Sequence, residues 1–353
     1  MSDDRARFST GELAVVCSRY DLGQVRSARP FAAGSRASPK ALLLTERGAF
    51  IVKRRAAPPP GAARVDHLHR IAASHEVVLH LAARGVPVPR LLGTRDDHNT
   101  MLQLSEHVYE VYAFVEGRAY DRSTAAAAAS GGLLARCHNA MRTCALSWTP
   151  RRRSFHAHPH LPQILRALPE TLGSPELAEV ASDLAERYER ASRAATDCGV
   201  DAIEQVVHGD WHPGNLVFAA DNSVAVVLDF DAVSLAPVLA DTANGALQFA
   251  LRRRTLENPA PNRAPFAVDF DPALFRAFWG GYREADPEMS SRFAWSAVSH
   301  LCAQAIIAEV ALPIAATGRF GRYSGTGVLR LARRTAAWME SHAQTLARWA
   351  TNP

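Results

Sequence analysis

Between residues 206 and 231 the chain reads Val206-Val207-His208-Gly209-Asp210-Trp211-His212-Pro213-Gly214-Asn215-Leu216-Val217-Phe218. Past a polar Asp221-Asn222-Ser223 it continues Val224-Ala225-Val226-Val227-Leu228-Asp229-Phe230-Asp231. Two carboxylates and one carboxamide at these intervals are the parts that phosphoryl transfer requires. One carboxylate accepts the proton of an attacking hydroxyl, and oxygen ligands fix Mg²⁺ on the phosphates of a nucleotide. Asp210 suits the first task, and Asn215 and Asp229 the second. The stretch from Asn215 to Asp229 is long enough for a strand out, a turn at 221–223 and a strand back, which is expected to bring Asp229 beside Asn215.

A rival chemistry uses the same segment. His208, Asp210 and His212 alternate, so on an extended backbone they share a face and could ligate zinc in a hydrolase. That reading lacks a further histidine cluster and leaves Asn215 and Asp229 without a task. The other histidine-rich run, Arg151 to His160, carries His156, His158 and His160, is broken by Pro159 and follows three arginines. It is expected to be a solvated loop that an anionic substrate could touch.

These residues need elements to hold them. The first third reads as strands with one helix inserted. Val25 to Arg29 is β-compatible, and Ala41 to Thr45 and Ala49 to Lys53 form a hairpin across Glu46-Arg47-Gly48. A helix with apolar positions from Val65 to Leu81 ends near Gly85. A second hairpin follows, from Thr100 to Leu104 and Val108 to Val115. From Glu116 onward the chain is mostly helical, with expected helices at 124–145, 161–172, 175–195, 272–284, 289–310 and 327–350 around the one β-like region, 206–233. Trp279, Trp295, Trp338 and Trp349 are buried candidates. The fold class is therefore α+β, with a boundary separating 1–115 from 116–353. In the first part, Lys53 ends a strand where an ammonium can bridge nucleotide phosphates, and Glu76 on the inserted helix is the expected carboxylate partner.

Composition sets the outer limits. With 353 residues, 48% of them hydrophobic, the chain is large enough for two modest cores, which excludes disorder, collagen and disulfide-stapled mini-proteins. The formal charge is +5, and all but two of the 40 basic residues are arginine; without a basic tail, nucleic-acid binding is not expected. Five cysteines without a C-x-x-C pair, no basic-then-apolar leader, and no uninterrupted run of eighteen apolar residues fit a reduced cytoplasmic protein with no membrane partner.

The whole chain resembles the aminoglycoside phosphotransferase and choline kinase-like superfamily of small-molecule kinases, with homoserine kinase-like members among the nearest in motif. The resemblance is carried by His208-Gly209-Asp210-Trp211-His212-Pro213-Gly214-Asn215, by Val227-Leu228-Asp229-Phe230-Asp231, by Phe50-Ile51-Val52-Lys53, and by the stretch from His75-Glu76 to Val86-Pro87-Val88-Pro89. It implies a two-lobed protein-kinase-like fold: a small antiparallel-sheet lobe with one helix and a larger, mainly helical lobe. It further implies Asp210 as base, Asn215 and Asp229 as Mg²⁺ ligands, Lys53 on the phosphates with Glu76 as its partner, and ATP or GTP as donor. Phe114 and Val115 fall in the hinge, Tyr112 to Gly117, that cradles the base, and Asp241 matches an acid that steadies the catalytic loop. No G-x-G-x-x-G precedes the second strand, so the phosphate-covering loop relies on Ser35 and backbone N–H groups. Asp231 in place of glycine, with no Ala-Pro-Glu segment after it, points away from protein kinases.

The expected function is therefore transfer of a γ-phosphate to a hydroxyl of an aminoglycoside, an amino alcohol or a homoserine-like metabolite. For a cationic acceptor, Asp231 is the nearest acid, with Asp241 and Glu204 behind it. The alternatives are a nucleotide-binding scaffold without turnover and a basic nucleic-acid binder whose affinity would fall steeply with salt.

Overall fold

Alternation along the strands decides how the N-terminal part packs. The computed structural model describes residues 8–31, 38–252, 269–321 and 323–352. It opens with helix α1 (Thr10–Arg19), strands β1 (Val25–Phe31), β2 (Lys40–Thr45) and β3 (Gly48–Ala56), helix α2 (Ala62–Ala83), and strands β4 (Leu102–Leu104) and β5 (His107–Ala113). The strands form one antiparallel sheet in the order β1-β2-β3-β5-β4. Because successive side chains point to opposite faces, Phe50, Val52, Tyr109 and Val111 bury one face against Val16 of α1 and Tyr20 at its C-terminal end. Ile51, Lys53, Arg55, Glu110 and Tyr112 take the other.

The N-terminal part thus carries two helices rather than the single one expected. Ser9 and Glu12 cap α1 reciprocally, and Glu12 also pairs with Arg54 at 2.8 Å and accepts from the Tyr109 hydroxyl at 2.7 Å, tying helix to sheet.

The larger part comprises α3 (Thr124–Met141), α4 (Leu161–Thr171), α5 (Ala178–Asp197), strands β6 (Glu204–Val207), β7 (Leu216–Phe218), β8 (Val224–Val227) and β9 (Ser234–Pro237), and α6 (Val238–Ala250). After it come α7 (Pro272–Ala285), α8 (Pro287–Ser291), α9 (Val298–Thr317), the short pair β10 (Arg319–Phe320) and β11 (Tyr323–Ser324), α10 (Gly325–Ser341) and α11 (Ala343–Thr351). The β-like region resolves into two antiparallel pairs, β7 with β8 and β6 with β9.

The alanine-rich composition of α3 has a packing reason. A Cβ at Gly131 would sit 1.9 Å from the Phe278 carbonyl oxygen, and one at Gly281 would sit 2.0 Å from that of Ala128, so α3 and α7 meet backbone to backbone. Trp279 is fully buried at the centre of this part, while Trp295, Trp338 and Trp349 pack around the core partly exposed. Residues Trp295–Thr317 are long and apolar enough by mean composition to cross a membrane, but Ser299, His300, Gln304 and Glu309 interrupt the run and 78% of the apolar window is buried inside the protein, as in a core helix.

Candidate active site

The loop 208–215 joins β6 to β7, and nearly every polar group in it has a partner. His208 is fully buried; its Nε2 donates to the Leu228 carbonyl at 3.1 Å and its Nδ1 accepts the Asp210 N–H at 3.2 Å. Burial lowers its pKa, which keeps the ring neutral. Gly209 N–H donates to Asp241 Oδ1 at 3.0 Å, and Asp241 Oδ2 accepts from His138 Nε2 at 3.0 Å, anchoring the loop to α6 and α3. Asp241 is thereby buried and spent on the loop, which removes it as an acceptor-binding acid; Glu204 is likewise taken, by Arg152 at 2.7 Å.

Asp210 keeps its side chain half exposed, facing outward. The Asn215 amide nitrogen donates to its carbonyl at 2.9 Å and to Oδ2 at 3.1 Å, and His212 Nε2 stands 3.6 Å from Oδ2. Burial pushes the Asp210 carboxyl up, but the His212, His208 and Asn215 contacts outweigh it and leave the pKa below its ordinary value, so the group is ionised at neutral pH. The returning strand behaves as its length suggested: Leu228 N–H donates to the Asn215 carbonyl at 2.8 Å, with Asp229 next along the chain.

Asp229 departs from regular backbone. It adopts a left-handed conformation, φ +62°, uncommon for a residue with a Cβ and of the kind that concentrates at functional sites. Its Oδ1 is buried with no hydrogen bond, the nearest cation being Lys53 Nζ at 3.8 Å. An unpartnered carboxylate oxygen beside an asparagine whose nitrogen is already committed is a hard-oxygen donor set that fits Mg²⁺. The zinc alternative fails on the same bonds. Both ring nitrogens of His208 are engaged by backbone, His212 Nδ1 accepts from Gly214 N–H at 2.9 Å, and no metal-binding cluster of three or more His, Cys, Asp or Glu occurs among the described residues.

A cleft lies between this loop and the sheet, lined by Lys53, Phe114, Val115, Asn215, Asp229 and Asp231 among others. Phe114 N–H is already bonded to the Ala49 carbonyl at 2.9 Å, so of the two hinge candidates only Val115 has an N–H with no partner among the described residues. Ser35 lies outside the described residues.

Glu76 requires correction. It does not meet Lys53; its Oε2 accepts from Ser147 N–H at 2.8 Å. At 100° per residue, Ser74 and Val78 face the cleft and His75 faces the sheet, which turns position 76 toward the other part of the chain. Lys53 instead pairs with Asp231 at 2.9 Å. Arg55 bonds that same carboxylate and reaches Glu110, a fully buried acid also met by His75 at 3.2 Å and by the Tyr112 hydroxyl. Burial raises Glu110, but His75, Arg55 and Lys53 hold it well below the usual carboxylate range. Burial likewise opposes ionisation of Asp231, and Arg55 and Lys53 overcome it. Sequence reasoning passed over Arg55 and Glu110; the available signal was a lone acid in the apolar-rich strand His107-Val108-Tyr109-Glu110-Val111-Tyr112, which the register sets opposite Lys53. Lys40 was also missed: it is the cross-strand partner of Lys53 and lines the same cleft.

The run 151–160 is not a free loop either. His156 is buried against Gln304 at 3.0 Å, and Arg152 pairs with Asp201 and Glu204.

The sequence profile described as APH, phosphotransferase enzyme family, matches residues 27–289. Among solved structures, the chain is similar to an aminoglycoside phosphotransferase from Alicyclobacillus acidocaldarius (TM-score 0.65, 15% identity, 100% of each chain covered). It is also similar to a microcompartment-associated aminopropanol kinase (TM-score 0.70, 14% identity, 96% of this chain and 99% of that one). A third is a spectinomycin phosphotransferase in complex with ADP and spectinomycin (TM-score 0.57, 12% identity, 98% of each chain). At these identities the likeness establishes the fold. No curated protein sequence is a significant match.

Proposed function

The chain belongs to the phosphotransferase enzyme family, and on that premise we propose that this small-molecule kinase moves the γ-phosphate of ATP or GTP to an acceptor hydroxyl, with Asp210 as base. The observation that carries the proposal is the pairing of an ionised, half-exposed Asp210, fixed by Asn215, with the buried and unbonded Asp229 Oδ1. Asp210 would orient the acceptor hydroxyl and take its proton as the new bond forms. Asn215 holds that carboxylate from below, Lys53 offsets charge on the donor phosphates, and Val115 offers its N–H to the base at the hinge. Asn215 and Asp229 would hold Mg²⁺, which when bound neutralises charge on the transferred group. The division at 115/116 would then separate the nucleotide-holding lobe from the acceptor-holding one.

The acceptor class we propose is an aminoglycoside, an amino alcohol or a homoserine-like metabolite. Lys53 and Arg55 already neutralise Asp231, so a cationic acceptor would need an acid other than that one. The test is nucleotide consumption with ATP and GTP plus Mg²⁺ against a panel of these compounds, sugars and nucleosides, beside the Asp210→Ala protein. Acceptor-dependent turnover is expected to fall by about 10²–10⁴-fold in the variant, the usual share of general-base catalysis. Equal turnover by both proteins would remove Asp210 from the mechanism.

A further inference from the structure

Lys53 has to leave one partner before it can take another. Its ammonium is 2.9 Å from Asp231 Oδ2, and Lys53 is only 6% exposed, so the pair is shielded on the lysine side while the Asp231 carboxylate stays partly open to water. A phosphate arriving at Lys53 competes with that carboxylate. Were Lys53 to move alone, Asp231 would lose its counter-charge in a partly desolvated cleft, and an uncompensated charge there is costly.

Arg55 is placed to prevent this. Two residues along β3 and therefore on the same face as Lys53, it donates through Nη1 to the same Asp231 Oδ2 at 2.7 Å and through Nη2 to Oδ1. Its Nε and Nη2 also bond Glu110, the latter at 3.3 Å. Glu110 stands directly across from Lys53 in the sheet, yet its carboxylate is turned to Arg55, His75 and Tyr112. A planar guanidinium fixed at one edge by a buried carboxylate presents its other edge to Asp231 in a set direction.

We infer that Arg55 is a positioning residue of the nucleotide site: it retains Asp231 when Lys53 transfers to the donor phosphates, while Glu110, His75 and Tyr112 hold Arg55 in register. The inference rests on Lys53 being the phosphate contact. Asp231 is then a competitor of the nucleotide, and Arg55 is what makes the competitor easy to displace.

The experiment is ATP binding by calorimetry in EDTA, where no divalent metal contributes, with melting temperatures to verify folding. Asp231→Asn removes the competitor and is expected to tighten ATP binding by about three- to tenfold, the range set by one partly screened ion pair. Arg55→Met leaves Asp231 to Lys53 alone and is expected to weaken binding by a similar factor. Arg55→Lys should lie between Arg55→Met and the wild type. The double variant Arg55→Met with Asp231→Asn should return to the affinity of Asp231→Asn, a rescue that general damage to the fold would not produce. Should Arg55→Met fail to fold, Asp231→Asn decides together with Lys53→Ala and their combination, since the gain must vanish when Lys53 is absent. Unchanged or weaker ATP binding by Asp231→Asn, or wild-type binding by folded Arg55→Met, overturns the inference and leaves the kinase reading intact. Wild-type binding by Lys53→Ala would instead remove the phosphate role of Lys53, and the inference with it.

Discussion

Replacing Gly209 with alanine tests whether the loop 208–215, which carries the proposed base, depends on a close backbone approach. Gly209 has φ +79°, and a Cβ there would lie 2.3 Å from the Ala232 carbonyl oxygen. Two costs follow. Left-handed backbone costs a residue with a Cβ about 1–2 kcal/mol. Relieving the overlap then requires the loop and the 230–232 turn to separate by about 1 Å, given preferred heavy-atom separations near 3.5 Å. Asp210 is the next residue on one side of that contact, and Asp229 and Asp231 flank the other. A misplacement of about 1 Å at reacting groups costs on the order of 10²-fold in rate. Gly199 supplies the control, because it has φ +84° but its Cβ would meet nothing within 4 Å. Gly199→Ala therefore incurs the backbone cost alone, a melting temperature lower by roughly 2–5 °C with turnover unchanged. Gly209→Ala should add a loss of turnover of about 10²-fold, measured as ADP release with the acceptor identified by the panel. Equal turnover in the two variants would refute the argument from close approach.

Asp229→Asn keeps the size of the side chain but removes its charge; Mg²⁺-dependent nucleotide binding is expected to weaken by at least about tenfold, and an unaltered Mg²⁺ titration would exclude Asp229 as a ligand. Gly281→Ala would drive a methyl to within 2.0 Å of the Ala128 carbonyl oxygen, forcing α3 and α7 apart at a cost of about 1–3 kcal/mol, read by denaturant unfolding. Asp183 joins α5 to α10 by accepting from Arg187 at 2.8 Å and Arg333 at 2.9 Å. Burial raises its carboxyl, but the two guanidinium groups outweigh this and set it below its ordinary 3.8. Its contribution, under about 1 kcal/mol for so accessible a pair, is therefore complete above 3.8 and disappears as pH falls through the native value. The stability difference between wild type and Asp183→Asn should be present at neutral pH and close in acid; a gap independent of pH would contradict the ion-pair origin.

The parts of the fold that could be read from sequence were those where one local signal sufficed. The hairpin carrying Lys53, the strand pair bringing Asp229 to Asn215 and the helix ending near Gly85 each follow from alternation, turn residues or a terminal glycine, although β3 runs three residues past Lys53, to Ala56. Helix α1 was not expected: its one local signal is Ser9 and Glu12 at capping-box spacing, and its apolar face makes sense only against a sheet. Helix α6 escaped notice because it is buried almost all round and follows directly from a strand, leaving no polar face to give it a period. The Lys53 partner could not be found by spacing. Glu76 is on the right helix but points the wrong way, and Glu110 and Asp231 become neighbours of Arg55 only after β3, β5 and the 229–231 turn have come together. His156 likewise looked solvated until α5 and α9 enclosed it.

The register that sets Lys40 opposite Lys53 has a chemical corollary, because these are the only two lysines in the sequence. Both line the same cleft. Apart from the α-amino group, every amine in the chain therefore lies in this cleft, so acylation at Lys40 and Lys53, separated from the terminus by peptide mapping, reports how accessible the cleft is. A lysine-specific protease has the same two targets. Since Lys53 is buried within β3, which pairs with both β2 and β5, cleavage after it requires that part of the sheet to open.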